Sequence, residues 1–298
     1  MKKFKEFINR ALGGFCMALA DAVPGVSGGT IAFILGFYDD FITSLDDLFR
    51  GTMPKKKKAL KFLLKLGFGW IIGMGIASTV LSNLFVDRIY DMSSLFIGLI
   101  IFSLPLIYRD EYESIHNKYK KNIIYAILGC ILVVLITVIN NYAGINVDIS
   151  SLNLFTIIYI FVVAMIAISA MVLPGISGST MLLVFGIYIP IMADVKGFFH
   201  LDFSTLPTLI IFGLGVVFGI VFFVKLIRTC LDKNRSAVVY FILGMMIGSL
   251  YAIVMGPTTL TVPTDPMSIS TFKILPFILG AVIIYLLELL KKYMMKNK

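Results

Sequence analysis

Ala22-Val23-Pro24-Gly25-Val26-Ser27-Gly28-Gly29-Thr30 returns 150 residues later as Val172-Leu173-Pro174-Gly175-Ile176-Ser177-Gly178-Ser179-Thr180, and this pair decides the fold. Both copies continue through an apolar stretch to Gly36-Phe37-Tyr38 and Gly186-Ile187-Tyr188, with seven of seventeen aligned positions identical. The duplication extends further: Gly67, Gly69 and Gly73 align with Gly213, Gly215 and Gly219, Gly98 and Ser103 with Gly244 and Ser249, and Gly129 with Gly280. A chain that repeats one pattern is expected to build two equivalent halves, residues 1–140 and 141–298.

Of the 298 residues, 59% are hydrophobic and 14% charged, which leaves too little polar surface for a soluble globule. The composition predicts an all-α polytopic membrane protein. Cys16, Cys130 and Cys230 are isolated, with no CxxC and no His at ligand spacing, so neither a disulfide framework nor a metal site is expected, and no cofactor. The formal charge of +9 lies in short blocks between apolar runs, a topology signal rather than a nucleic-acid surface. Lys2, Lys3, Lys5 and the Ala18-Leu19-Ala20 triplet imitate a signal peptide. Glu6 and Arg10 interrupt that pattern, and the second motif copy keeps its preceding arm, so this segment is expected to be retained.

Residues 2–13 space Phe4, Phe7, Ile8 and Leu12 helically among charges, predicting an amphipathic helix in the membrane interface. Arms 15–23 and 26–38 around Pro24-Gly25 fall short of the roughly 20 residues that cross a bilayer. They predict a re-entrant hairpin, 15–38, followed by a solvated loop over 39–65 and spans near 66–85, 93–108 and 122–140. The second half repeats this as a hairpin, 154–192, and spans near 206–227, 236–255 and 273–290. Its first arm, Leu154 to Leu173, is also long enough to cross outright; both readings return the chain to the same side.

Five segments, 1–10, 50–65, 109–121, 225–235 and 291–298, hold 23 of the 26 Lys and Arg, leaving Arg88, Lys196 and Lys273 in the alternate loops. The positive-inside rule assigns the five to the cytoplasm, with both termini. Three spans between the hairpins then make the halves inverted repeats, an organisation common in secondary transporters.

Pro24-Gly25 and Pro174-Gly175 should break their helices, and Ser27 and Ser177 should cap the helices that restart. Amides without partners in hydrocarbon require a polar guest, and a helix amino terminus favours an anion such as phosphate. Gly28, Gly29, Gly178 and Ser179 permit close approach, while Thr30 and Thr180 add hydroxyls. The plainer reading is a pair of tight helix contacts with satisfied caps; two copies in opposed orientation weigh against it. Asp21 has no counterpart, Met171 standing at the equivalent position. An acid in an apolar segment is a candidate proton or sodium carrier, or else a helix cap. Glu288 is expected to pair locally with Lys291 or Lys292, and Arg88, Arg109, Lys225 and Arg228 to reach lipid headgroups. Trp70, Tyr38, Tyr108 and Tyr188 read as packing or interfacial aromatics.

Through Pro24, Gly25, Ser27, Gly28, Gly29, Thr30 and Pro174, Gly175, Ser177, Gly178, Ser179, Thr180, the chain resembles the bacterial polyprenyl-phosphate transporter family, catalogued as domain of unknown function 368. The resemblance covers essentially the whole chain, with one departure where Ser179 replaces the glycine of the first copy. It implies a flippase that moves undecaprenyl phosphate from the outer to the inner leaflet, the two motifs holding phosphate. The residues themselves reach only to an anion site in an inverted-repeat transporter, so a carrier of small soluble anions is the alternative. A lipid phosphatase is disfavoured, because His116 and His200 lie in loops away from both motifs.

Overall fold

Nine residues after each motif's serine, the chain turns on a left-handed glycine: Gly36 at φ +72° and Gly186 at φ +67°. These turns end two short helices of seven residues each, α2 (Gly28–Ile34) and, in the second half, α8 (Gly178–Val184). The computed structural model describes residues 2–21, 27–77, 88–116, 118–143, 152–175, 178–199, 201–259 and 264–296. Around α2 run α1 (Lys2–Asp21), α3 (Tyr38–Arg50), α4 (Met53–Ile76), α5 (Ile89–Asp110) and α6 (Tyr119–Ala143). Around α8 run α7 (Leu154–Val172), α9 (Tyr188–Phe199), α10 (Leu206–Met255, broken at Asn234, φ −141° and ψ 55°) and α11 (Ile274–Lys296). No strand occurs among the described residues.

Among the described residues, five helical stretches are long and apolar enough to cross a membrane: Met53–Ala77, Ile89–Asp110, Lys120–Ile139, Leu154–Val172 and Phe203–Thr258. The last, at 56 residues, is far longer than one crossing requires, and its break at Asn234 divides it. Leu and Ile side chains on these helices, such as Ile71, Leu128 and Leu214, are exposed, as a membrane protein requires.

Several boundaries differ from those expected. Residues 2–13 and the arm beyond form one continuous helix, α1, which runs through Gly13-Gly14 because those glycines pack against the Phe37 ring and the Leu66 carbonyl. Residues 39–65 are helical rather than a loop. Asp39 and Asp40 occupy the first turn of α3 and Arg50 its last, charges that suit the helix dipole, while Tyr38 and Ile42 are buried. The Lys55 to Lys58 run lies inside α4, whose first turn carries Pro54.

Packing reproduces the duplication. A Cβ on Gly69 of α4 would overlap the Ala11 carbonyl oxygen of α1, and one on the equivalent Gly215 of α10 would overlap that of Phe161 on α7. Gly98 of α5 abuts Phe277 of α11, and its equivalent Gly244 abuts Ala126 of α6. Equivalent glycines therefore meet equivalent carbonyls, and the last helix of each half packs on the other half. Gly69→Ala is expected to destabilise by about 1–3 kcal/mol through overpacking. Gly67→Ala, with nothing within 4 Å of a new Cβ, should be neutral or stabilising by about 0.5–1 kcal/mol. Thermal unfolding in detergent checks the opposite signs, and equal midpoints would refute the close α1–α4 approach.

Candidate functional site

The two motif junctions touch. Ser27, fully buried, caps α2 with extended backbone (φ −121°, ψ 149°) and accepts from the Thr30 amide at 3.3 Å. Its hydroxyl donates to the Leu173 carbonyl of the other copy at 3.1 Å. Thr30 Oγ1 accepts from the Gly175 amide at 3.0 Å and lies 3.2 Å from Ser27 Oγ. Because the single Ser27 proton goes to Leu173, Thr30 is the donor to Ser27. Four groups thus form one directed chain, from the Gly175 amide through Thr30 and Ser27 to the Leu173 carbonyl, polarising one another in a dry setting. Tyr38 adds a bond from its hydroxyl to the Val172 carbonyl at 3.3 Å.

Asp21, the last residue of α1, closes the other side of the junction. Its Oδ1 accepts from the Gly28 amide at 2.6 Å and its Oδ2 from Trp70 Nε1 at 2.9 Å. The carboxylate therefore sits at the positive end of α2, where an external anion would otherwise meet the first amide. Sequence reasoning expected that amide and the Ser and Thr hydroxyls to be open donors. In copy one they are engaged, the amide by Asp21 and the hydroxyls by the second copy. At α8, Gly178 is buried and Met171 stands in place of the acid, its Cβ beside Gly178. The junction at α8 thus carries Met171 where α2 has its own carboxylate.

Of the other expected site residues, Gly28 and Gly29 are buried in α2, Pro174 and Gly175 are buried at the second junction, and Thr180 is half-buried in α8. Gly175 adopts φ +93° against Met245, a conformation and a contact that both favour glycine. Pro24, Gly25 and Ser177 lie outside the described residues, as does the side chain of Ser179.

Beside Asp21 opens an apolar cleft of about 220 Å³ between α4 and the α7–α10 pair, lined by Leu63, Leu66, Gly67, Trp70, Ile168 and Ile220. Trp70, read from sequence as packing, holds the acid. The available signal was that an indole N–H in hydrocarbon needs an acceptor.

Several of the basic residues form ion pairs across the fold. Arg228 bridges Asp46 at 2.7 Å and Asp47 at 3.0 Å, and Arg235 bridges Asp39 at 2.7 Å and Glu111 at 2.6 Å. Arg109 meets Glu288 at 2.9 Å, which also binds Lys292 at 2.9 Å as expected, while Lys291 turns to Asp110. A single-helix reading placed Arg109 and Arg228 toward lipid, because their carboxylates belong to segments about 180 residues away.

Comparison with known proteins follows the same direction. The family described as undecaprenyl phosphate translocase-like matches residues 17–272. A polyprenyl-phosphate transporter of Staphylococcus aureus is 36% identical over 264 residues, 87% of this chain and 89% of that protein. One of Vibrio cholerae is 33% identical over 262 residues, 83% of this chain and 78% of that protein. No solved structure matches.

Proposed function

Because the chain belongs to the undecaprenyl phosphate translocase-like family of transporters, we propose that it carries undecaprenyl phosphate across the bacterial cytoplasmic membrane, from the outer to the inner leaflet. Recycling of this carrier lipid for cell-wall synthesis is the role that follows. The observation that carries the reading is the contact between the two junctions beside an apolar cleft. A phosphate head needs the polar backbone of the junctions, and a prenyl chain needs the cleft.

In this reading the halves are inverted repeats with re-entrant junctions, and both termini are cytoplasmic, as the distribution of Lys and Arg supports. Pro24, Gly25, Ser27, Gly28, Gly29 and Thr30 form one half-site, and Pro174, Gly175, Ser177, Gly178, Ser179 and Thr180 the other. Phosphate displaces the hydrogen bonds that join the junctions, and rocking of the halves exposes the site to alternate leaflets. Asp21 couples the cycle to a proton or sodium ion, because its charge competes with phosphate for the α2 terminus.

Translocation of undecaprenyl phosphate in liposomes tests this. The wild type should accelerate transfer between leaflets over protein-free vesicles. Thr30→Val, which removes the acceptor of the Gly175 amide and strands a buried donor worth about 1–3 kcal/mol, should slow it at least about tenfold. Absence of transfer by the wild type would refute the lipid reading, and competition by inorganic phosphate alone would favour a soluble-anion carrier.

A further inference from the structure

Between α1, α3 and α4 lies a bowl of about 820 Å³ at the end of the molecule where the basic segments gather. Four carboxylates face it, and each is already paired with a cation, two of them with arginines shared with Asp46 and Glu111. Glu6 binds Lys65 at 2.7 Å, Asp40 binds Arg10 at 2.9 Å, Asp39 binds Arg235 and Asp47 binds Arg228. The Lys65 hydrogen bond holds the Glu6 carboxyl below its usual range. Lys55, Lys58 and Lys61 also line the bowl, and among the described residues no carboxylate pairs with them. They recur at i, i+3 and i+6, one face of α4. Lys56 and Lys57 do not line it. A block that served only to set topology would have no reason to extend its inward face to Lys61 while every acid opposite already has another cation.

Three lysines thus face the bowl without a carboxylate partner, and a phosphomonoester of about −1.5 to −2, with three acceptor oxygens, engages such a set better than a singly charged group does. Further along the same helix, Leu63, Leu66, Gly67 and Trp70 line the apolar cleft. Lys61 and Leu66 are five residues apart, a rise of about 7.5 Å. Helix α4 therefore runs from a cationic bowl to an apolar groove within the length of a lipid's head and first chain carbons.

We propose that the bowl is a second phosphate station, separate from the junctions. It holds the phosphomonoester headgroup of a lipid in the leaflet on the basic side, with the chain in the Asp21 cleft. Its assignment to the transported prenyl phosphate rests on the transport reading above.

Trp70 is the one tryptophan of the chain and lines the cleft, so its fluorescence reports chain entry. Full-length protein in phosphatidylcholine nanodiscs is titrated with undecaprenyl phosphate and, separately, with dioleoyl phosphatidate, a phosphomonoester without a prenyl chain. Lys55→Gln with Lys58→Gln and Lys61→Gln should raise Kd for both at least about tenfold. The corresponding triple Arg variant should bind like wild type, and Lys56, Lys57 and Lys65 remain to keep the orientation. An unchanged Kd in the Gln variant overturns the proposal, as does displacement by inorganic phosphate at the concentration of the lipids. Failure of the wild type to transport undecaprenyl phosphate would count against the transport reading only, because the phosphatidate ratio still decides the bowl.

Discussion

Asp21→Asn is expected to leave the protein folded while transport driven by a proton or sodium gradient falls at least about tenfold. Each oxygen of Asp21 has one donor, the Gly28 amide at 2.6 Å and the Trp70 indole at 2.9 Å. Asparagine keeps the volume and the acceptor toward Gly28, but turns an amide donor toward the Trp70 N–H. One charge-assisted bond is lost, about 1.5–3 kcal/mol, which a folded membrane protein tolerates. What disappears entirely is the ability to change charge at the α2 terminus. Proteoliposomes loaded to impose either gradient supply the measurement, with thermal unfolding alongside. A variant that still follows the gradient as the wild type does would remove Asp21 from coupling. Asp21→Leu should be worse for stability, since both donors then lack partners.

Gly29→Val should abolish transport and lower stability by roughly 3 kcal/mol or more. A Cβ at Gly29 would stand 2.7 Å from the Val172 carbonyl oxygen, 3.2 Å from the Leu173 carbonyl carbon and 3.3 Å from the Pro174 nitrogen. These are backbone atoms of the second junction and cannot swing aside as a side chain does. Pushing Leu173 away also breaks the bond from Ser27. Gly29→Ala should fall between, because it adds the Cβ without the branch. Unfolding midpoints and leaflet transfer rates that match wild type for the Val variant would mean that the junctions are not in contact.

Some of this was legible in the chain. The motif pair, the Ser27 cap and the close approach at Gly29 follow from residue types that admit few other uses, and duplication marked them twice. The α3 helix was hidden because Asp39, Asp40, Asp46 and Asp47 read as solvated charge. Arg228 and Arg235, the partners of Asp39, Asp46 and Asp47, lie about 180 to 200 residues on, and Asp40 pairs back to Arg10, all beyond any local pattern. The engagement of the first half-site was likewise invisible. That Ser27 serves Leu173, and that Asp21 fills the α2 terminus, depends on which segments meet, and sequence spacing within one segment carries no such information. Trp70 is intermediate: its need for an acceptor was readable, but the acid that meets it, 49 residues away, was not.

The exchange of final helices between the halves also sets a timetable. Helix α5 leaves the ribosome about 160 residues before α11, the helix that Gly98 is shaped to receive. At usual elongation rates the interval is roughly ten to thirty seconds. During it the Gly98 face of α5, lacking any side chain to cover its own backbone, waits in the membrane for a helix not yet made. The first half is therefore an unfinished object until the second is nearly complete, and quality control during biogenesis has a defined surface to watch.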